Sequence, residues 1–160
     1  ELVRKKIKNS ARDIFLLNQI HSNKFVFFSK KRKSHNKRYK VDAIITDQSK
    51  LPIAVLTADC VPILLYENKK KMIAAIHAGW RGAYKGIVHK VIQYMLKRGC
   101  KTENFVAAVG PCISFNNYNV KKDFKNKFLK KDKKSKIFFK QRNNTIFFNL
   151  SNYILSLIHI

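Results

Sequence analysis

Residues 57–82 read TADCVPILLYENKKKMIAAIHAGWRG, and this stretch decides the fold. Two apolar runs, Val61–Tyr66 and Met72–His77, are separated by the short polar segment Asn68–Lys71. Runs of this length and composition predict two strands joined by a turn. The glycine-rich residues 79–82 then predict a turn into a helix. Several predicted strands therefore end close to Cys60 and to the end of the second run.

Apolar patterns on both sides of this hairpin add further elements. Helical spacing over residues 87–96 predicts a helix that Gly99 ends. The basic stretch Ser29–Lys40 lacks periodicity and predicts a solvated loop. Other predicted elements are strands at Asp13–Gln19, Phe25–Phe28, Ile53–Thr57 and Asn104–Val109, a basic helix at Val120–Lys131, a hairpin of Ile137–Phe139 with Thr145–Phe148, and a helix from Ser151. We therefore expect a single α+β domain over residues 1–160, with mixed β-sheets flanked by helices.

Composition narrows the class of protein. The chain has 160 residues, 46% of them hydrophobic, which suffices for one core, and its apolar runs are too short to span a bilayer. No secretory leader pattern opens the sequence and three cysteines cannot all pair, so we expect a protein of the reducing cytoplasm. The net charge of +25 predicts attraction to phosphate-bearing partners. Lysine and asparagine crowd the segments without motifs, however, and this favours a general lysine bias over a nucleic-acid partner.

Two histidines and one cysteine form a candidate metal-ligand set. A catalytic zinc typically takes three protein ligands of the imidazole, thiolate or carboxylate type and keeps a fourth position open. His21, Cys60 and His77 fit that inventory. Their spacing alone leaves the question open, because a lone buried histidine is more often a hydrogen-bonded core residue. Cys60 and His77 do lie at strand ends, where functional sites are common.

Five blocks of sequence resemble those of the laccase-domain family, which is also labelled multicopper polyphenol oxidase or purine nucleoside phosphorylase. They occur in family order: Gln19-Ile20-His21-Ser22, Asp42-Ala43-Ile44-Ile45-Thr46, Thr57-Ala58-Asp59-Cys60-Val61-Pro62-Ile63, His77-Ala78-Gly79-Trp80-Arg81-Gly82 and Gly110-Pro111-Cys112-Ile113. The resemblance implies a zinc enzyme that phosphorolyses adenosine, inosine, guanosine and methylthioadenosine and also deaminates adenosine. It implies His21, Cys60 and His77 as the metal ligands.

The same blocks supply candidate catalytic and substrate-binding residues. Arg81 lies at a strand-to-helix turn, where its guanidinium can bind phosphate or ribose, although it can equally cap that turn. Asp59 is a candidate proton shuttle, or alternatively a residue that orients the candidate ligand Cys60. Trp80 can stack on a purine or serve as a packing anchor. We expect Cys112 to line the same cavity, whereas Cys100 has no motif around it and is expected to be structural.

Three further functions compete with this one. Two histidines and a cysteine also suit a blue-copper oxidase site, with Met72 or Met95 as the axial ligand, but the chain has only five histidines for a multicopper enzyme. The lysines and aromatics of Lys121–Gln141 allow a basic nucleic-acid-binding module without catalysis. A hydrolase with Cys60 as its nucleophile would need a metal-free thiol of lowered pKa.

The sequence also departs from the family pattern. Family members are usually longer at both ends, and their last part carries a Cys-Thr pair and an aromatic-Ser-aromatic-Arg-Arg segment near the pocket. Neither motif occurs before Ile160. We therefore expect a truncated or short member in which metal binding is better supported than nucleoside turnover. The oligomeric state is not predicted by these patterns.

Overall fold

Two β-sheets and four α-helices make up residues 14–29 and 39–159, the part of the chain described by a computed structural model. The strands are β1 (Phe25–Phe28), β2 (Ala43–Thr46), β3 (Val61–Glu67), β4 (Met72–Ala78), β5 (Phe105–Val109), β6 (Asn119–Val120), β7 (Phe139–Arg142) and β8 (Thr145–Phe148). The helices are α1 (Trp80–Tyr84), α2 (Ile87–Lys97), α3 (Lys122–Lys131) and α4 (Leu150–His159). Short 3₁₀ turns cover Thr102–Asn104, Phe115–Asn117 and Lys133–Phe138. The predicted α+β class is confirmed.

The predicted hairpin is the centre of the larger sheet, whose strand order is β1-β2-β4-β3-β5. Strands β3 and β4 are antiparallel, with Val61 opposite Ala78 at one end and Glu67 opposite Met72 at the other. Strand β1 is parallel to β2, and the other pairings in this sheet are antiparallel. The smaller sheet has the antiparallel order β6-β8-β7.

Core residues cover both faces of the larger sheet around β2 and β4. On one face Ile76 shares a cluster with Val91 of α2 and Ile154 of α4. On the other face Ile44 packs with Phe15 in a second cluster. Because both faces are covered, β2 is buried at every position, and its first three residues are apolar without alternation.

The second face is open along β3 and β5. Leu64 is 54% exposed and Val106 is 60% exposed, and both line an apolar groove together with Tyr66. The alternation along β3 accounts for this, because its odd-numbered residues Ile63 and Leu65 enter the main core while the even-numbered ones point the other way. No described residue covers this part of the sheet.

Helix α2 begins and ends where the sequence indicates. Gly86 precedes it with a φ of 83°, and Gly99 follows it with a φ of 85°, a left-handed conformation that glycine adopts at little cost. The N–H groups of Gly99 and Cys100 bond to the carbonyl oxygens of Leu96 and Met95 at 2.8 and 3.2 Å. This is the Schellman arrangement, which satisfies the last carbonyls of a helix.

Two predicted strands are not regular strands. The described part of Asp13–Gln19 makes only single bridges, from Phe15 to Ile53 and from Asn18 to Lys40, and Ile53–Thr57 contributes only that bridge at Ile53. The physical reason lies in the Gln19 side chain, whose amide donates to the Leu56 carbonyl at 2.7 Å and accepts from the Leu56 N–H at 2.8 Å. A side chain thus replaces the ladder that a neighbouring strand would supply.

The first strand of the hairpin in the smaller sheet lies later in the chain than predicted, whereas the second, Thr145–Phe148, has the predicted bounds. Residues 133–138 form a 3₁₀ turn, Ile137 is 80% exposed, and the strand begins at Phe139. Asn143 and Asn144 have φ values of 44° and 62°, as in the two-residue turns that favour asparagine and glycine. That turn fixes Arg142 opposite Thr145 and therefore sets the register.

The remaining predictions agree with the structure apart from shifts at element ends. The basic helix begins at Lys122 because residues 119 and 120 form β6, and its Phe128 is buried as expected. The last helix finds its partner surface within the chain, since Leu150, Tyr153 and Ile154 are buried in the main core. The predicted loop Ser29–Lys40 lies mostly outside the described residues. No helix among the described residues is long and apolar enough to span a bilayer.

Candidate metal centre

The antiparallel register of β3 and β4 brings two of the three predicted ligands together. Cys60 immediately precedes β3, and His77 is the second-last residue of β4, opposite Pro62. His21 reaches them from the segment before β1. The ligand atoms of His21, Cys60 and His77 all lie within 4.8 Å of one another. Residues from three distant parts of the sequence thus converge at one end of the sheet.

His21 has an unusual backbone that turns its side chain into the site. Its φ is 56°, a left-handed conformation that is uncommon for a residue other than glycine. Its Nε2 lies 3.8 Å from the Cys60 Sγ, and its ring meets the His77 ring edge-on at a centroid distance of 4.8 Å. Such a conformation persists only where surrounding contacts impose it.

Asp42 supplies those contacts. Its Oδ1 accepts from the N–H groups of Ile20 and His21 at 3.1 and 2.9 Å, and its Oδ2 accepts from the Ser22 N–H and hydroxyl, both at 2.6 Å. The same carboxylate lies 2.9 Å from Nδ1 of His77. One fully buried side chain therefore holds the His21 turn and the His77 ring in a fixed relation.

The charge of Asp42 fixes the tautomer of His77. Burial raises the pKa of Asp42, but the hydrogen bonds from Ser22, His77 and the backbone of His21 outweigh it and hold the pKa below its usual value. An ionised carboxylate can only accept hydrogen bonds, so Nδ1 of His77 must carry the proton. Nε2 is then the unprotonated nitrogen, free to bind a metal. A carboxylate that orients a histidine in this way is typical of zinc sites.

Two glycines leave room for the three side chains. A Cβ at Gly79 would lie 2.7 Å from the Cys60 Sγ and 3.1 Å from Cδ2 of His21. A Cβ at Gly82 would lie 2.9 Å from the carbonyl oxygen of Ser22, in the turn that carries His21. Both positions therefore require the absence of a side chain for a steric reason.

The donor set fits a metal ion. Zinc binds sulfur at about 2.3 Å and imidazole nitrogen at about 2.0–2.1 Å, so two such ligands at a near-tetrahedral angle lie about 3.6 Å apart. The separation of 3.8 Å between the Cys60 Sγ and the His21 Nε2 agrees with this requirement. Two imidazoles and one thiolate leave one position open, as in catalytic zinc sites. Together with His77 they form a candidate metal-binding group.

The metal group borders a cavity of about 300 Å³. His21 and Cys60 line it, while His77 is only 3% exposed. The remaining lining residues are Asp59, Trp80, Arg81, Ile113, Tyr118 and Leu150. The structure thus brings the predicted residues Asp59, Trp80 and Arg81 to the mouth of the metal group.

Trp80 has both of the environments considered for it. Its ring lines the cavity and also packs edge-on against Phe124 of α3 at a centroid distance of 5.0 Å. The Arg81 guanidinium and the Lys127 ammonium each lie 5.4 Å from its centroid. The cavity mouth is therefore an aromatic ring flanked by two cations.

Cys112 differs from its expected position. It is not among the residues that line the cavity, and its Sγ lies 3.7 Å from the Ile113 carbonyl oxygen while its side chain packs against the main core. Ile113 lines the cavity instead, because its N–H bonds to the Asp59 carbonyl oxygen at 3.0 Å. Cys100 is buried at the opposite end of the sheet, 4.0 Å from the Met72 Sδ.

Neither methionine is placed to be an axial copper ligand. Met72 begins β4 and His77 lies five residues further along the strand, a separation of about 16 Å at roughly 3.3 Å per residue. Met95 lies near the end of α2, and its carbonyl oxygen accepts the N–H of Cys100. Cys100 in turn lies beside Met72, so Met95 is at the same far end of the sheet. The expectation of an axial methionine is therefore wrong, because the strand direction carries both residues away from the ligands.

The thiol hydrolase and the nucleic-acid-binding module gain little from the structure. The pKa of the Cys60 thiol is raised, first by burial and then by the charges of Asp59, Asp42 and Cys112. A thiol nucleophile needs a lowered pKa, so this observation speaks against the hydrolase. In the basic segment, Phe124 and Phe128 pack against each other and the core, so they are not available to stack on bases.

Sequence reasoning missed the roles of Asp42 and Tyr118. Asp42 stands directly before Ala43-Ile44-Ile45, the apolar start of the fully buried strand β2, and a carboxylate next to such a strand is expected to be buried and therefore to need partners. That signal was available in the sequence. Tyr118 lies between the Gly-Pro-Cys block and α3 with no apolar periodicity around it, and only the structure brings it to the cavity.

The fold and site define an α+β domain with a candidate metal site made of two imidazoles and one thiolate. The chain belongs to the family described as multi-copper polyphenol oxidoreductase laccase, whose sequence model matches residues 1–159. The predicted resemblance to the laccase-domain family is thereby confirmed.

Individual relatives agree with this family. A Rickettsia conorii protein named purine nucleoside phosphorylase is 36% identical over 114 residues, which are 71% of this chain and 45% of that protein. A Bacteroides thetaiotaomicron protein of the same name is 44% identical over 84 residues, which are 52% of this chain and 31% of that protein. The crystal structure of a Neisseria meningitidis protein has a TM-score of 0.83 and 25% identity, over 99% of this chain and 62% of that one. The match thus spans less than half the length of these curated relatives.

Proposed function

We propose that the protein is a zinc-dependent purine nucleoside phosphorylase that splits adenosine, inosine, guanosine and methylthioadenosine with phosphate, and that it also deaminates adenosine. The observation that carries the proposal is the convergence of His21, Cys60 and His77 beside a cavity whose mouth holds an aromatic ring and an arginine. Relatives that are 36% and 44% identical bear the name purine nucleoside phosphorylase, which supports this substrate class.

Zinc is the metal we favour for this donor set. His77 offers Nε2, His21 offers Nε2 and Cys60 offers its thiolate, so three ligands leave a position for water or substrate. When bound, zinc would supply Lewis acidity and an activated water at neutral pH, which is the chemistry that deamination of adenosine needs. In this proposal Cys60 acts as a ligand and not as a nucleophile.

The cavity walls suit the two parts of a nucleoside. Trp80, Ile113 and Leu150 offer apolar surface for the base, and the Trp80 ring can stack on a purine face. Asp59 and Arg81 offer polar groups to the sugar and to phosphate. The volume of about 300 Å³ is at the small end of the range for ligand pockets.

Phosphate recognition falls to the cations at the mouth. The Arg81 guanidinium is exposed and held over the Trp80 ring, where it can bind two phosphate oxygens at once. Lys127 lies at the same distance from that ring and adds positive potential. Asp59 is the proposed proton shuttle between the sugar and solvent. Cys112, which does not line the cavity, is left without a substrate contact in this proposal.

A copper oxidase is the second candidate, because the family description names copper and the ligand set of two histidines and one cysteine also suits that metal. A thiolate ligand of either metal must stay reduced. The three cysteines are free thiols, and we therefore propose a reducing cytoplasmic setting.

Metal analysis combined with a phosphate-dependent assay tests the proposal. We expect about one zinc per chain in the wild type, and release of ribose 1-phosphate from inosine only when phosphate is present. Cys60→Ala and His77→Ala should lose both the zinc and the activity, because each removes a ligand. Elemental analysis and chromatography of the products give the two measurements.

Matched controls come from the same residue types. Cys100→Ala and His89→Ala remove a cysteine at the far end of the sheet and an exposed histidine of α2, so both should keep the zinc. Copper with activity towards phenols would favour the oxidase. Well-folded wild type without metal, or zinc loss in the control variants, would contradict the proposal.

A further inference from the structure

Tyr118 lies in the cavity but belongs to none of the sequence blocks that carry the family resemblance. It lines the cavity together with Asp59, Cys60 and Trp80. The 3₁₀ turn Phe115–Asn117 and strand β6 flank it in the chain. The cavity therefore has a phenol side chain in addition to the groups already assigned.

The smaller sheet holds Tyr118 rigidly. Its carbonyl oxygen accepts the N–H of Phe148 at 2.9 Å, and its ring packs edge-on against the rings of Phe148 and Phe124 at centroid distances of 5.8 and 6.2 Å. Phe148 is fully buried in the main core. A side chain packed on this core cannot swing freely, so its hydroxyl is preorganised.

The hydroxyl remains protonated and available. A tyrosine phenol has an ordinary pKa of about 10 and is therefore protonated at neutral pH. None of the hydrogen bonds found among the described residues involves this hydroxyl. Tyr118 is therefore a neutral donor at neutral pH that still has a hydrogen bond to give within the cavity.

We propose that Tyr118 is a further catalytic residue, which donates a hydrogen bond to the purine base as it leaves the sugar; this role rests on the proposed phosphorolysis. It is preorganised in the cavity that also holds Trp80, whose ring can stack on the base. A neutral donor fits this task because negative charge develops on the base in the transition state and a fixed dipole stabilises it.

The bond changes of phosphorolysis show that the purine base is the group that needs a hydrogen-bond donor. An oxygen of hydrogen phosphate forms a bond to C1′, the C1′–N9 bond breaks, and its electron pair goes to the purine. The proton of the phosphate passes through solvent to the purine, so the products are ribose 1-phosphate and the neutral base. Tyr118 keeps its proton throughout and supplies only the hydrogen bond.

The test compares Tyr118→Phe with the wild type on two nucleosides. With inosine we expect kcat to fall about a hundredfold while KM changes less than about threefold, because the lost hydrogen bond forms mainly in the transition state. With 7-methylinosine, whose cationic base leaves without such help, we expect kcat to fall less than about threefold. Quenching of the fluorescence of Trp80, the only tryptophan, by inosine in phosphate-free buffer reports binding without turnover.

Tyr153→Phe is the matched control, since Tyr153 packs on the same Phe148 ring from α4 but does not line the cavity. It should leave kcat for both nucleosides unchanged. Equal losses of kcat on both nucleosides, or no loss in Tyr118→Phe, would overturn the role of Tyr118 alone. A zinc-loaded wild type that is inactive on both nucleosides would overturn the proposed function, and this role with it.

Discussion

Asp42 and Glu67 are fully buried carboxylates at opposite ends of the central hairpin. Asp42 precedes β2 at the end where the candidate metal ligands meet, and Glu67 ends β3 where the chain turns towards β4. Burial raises the pKa of each, and hydrogen bonds more than offset it, so both pKa values lie below the usual range. The two carboxylates therefore face the same physical problem and solve it with hydrogen bonds.

They differ in where their partners come from. Asp42 binds groups that lie 20–22 residues before it and 35 residues after it in the chain. Glu67 accepts the N–H of Lys70, three residues on, at 2.5 Å, and it also accepts hydrogen bonds from Lys101 and Asn104, which lie just before β5. The Glu67 partners tie the turn after β3 to the segment before β5, whereas the Asp42 partners hold together the segments that carry His21 and His77. Only the latter can build a site from His21 and His77, and four predictions test that difference.

The largest effect is expected for Asp42→Asn. The amide NH₂ would face a donor in either orientation, because both carboxylate oxygens accept N–H groups. We expect a loss of about 3 kcal/mol in the free energy of unfolding, as for a broken buried pair, and a 10- to 100-fold loss of zinc affinity. Urea unfolding and zinc titration give the two values. Asp123→Asn on the surface of α3 is the control and should change neither.

Glu67→Gln should destabilise the protein without weakening the metal site. Its amide keeps one acceptor for the turn but introduces a donor beside the N–H of Lys70. We expect a melting temperature below that of the wild type but above that of Asp42→Asn, and zinc affinity within about twofold of the wild type. A loss of zinc as large as that of Asp42→Asn would show that the two ends of the hairpin are coupled.

Gly79→Ala tests how tightly the ligands are packed. The added methyl would lie 2.7 Å from the Cys60 Sγ, so the thiolate must move. We expect about a tenfold loss of zinc affinity with a small change in stability, since the φ of −71° suits alanine. Gly110→Ala is the steric match, because its methyl would lie 2.8 Å from the Pro62 Cγ. The Gly110→Ala variant should keep its zinc. Equal zinc loss in the two variants would show that general crowding, and not displacement of the Cys60 thiolate, lowers the zinc affinity.

The smallest effect concerns the pH dependence of stability in metal-free protein. The pKa of Asp42 in the folded state lies below its reference value of 3.8, so folding favours the ionised form. This contribution is fully present above that value and is lost as the pH falls through the folded pKa. The difference in unfolding free energy between wild type and Asp42→Asn should therefore shrink below about pH 4. A difference that stays constant down to about pH 2 would contradict this account.

Local patterns predicted the central hairpin and helix α2 because their signals are short-range. The apolar runs of β3 and β4 and the glycines around α2 act within a few residues, and the structure follows them. The prediction failed at Ile53–Thr57, where the Gln19 side chain occupies the backbone groups of Leu56. A contact over 37 residues leaves no mark in local periodicity.

In the candidate site, too, short-range signals were predictive and long-range contacts were not. The residue types of His21, Cys60 and His77 and their motif blocks indicated a metal set, because few chemistries need two imidazoles and a thiolate. The sequence spacing of these residues did not indicate that their ligand atoms lie within 4.8 Å of one another. That proximity depends on the antiparallel register of β3 with β4 and on the bonds of Asp42 to the His21 turn.

The sequence by itself determined the α+β class, the central hairpin and helix α2, and it indicated a candidate metal-ligand set, since these depend on residue type and on short-range pattern. Only the tertiary structure decided that Asp42 organises the ligands, that Ile113 and Tyr118 rather than Cys112 line the cavity, and that both methionines lie far from the ligands. The reason is physical: strand direction, register and side-chain hydrogen bonds act between residues far apart in the chain, and local periodicity carries no information about them.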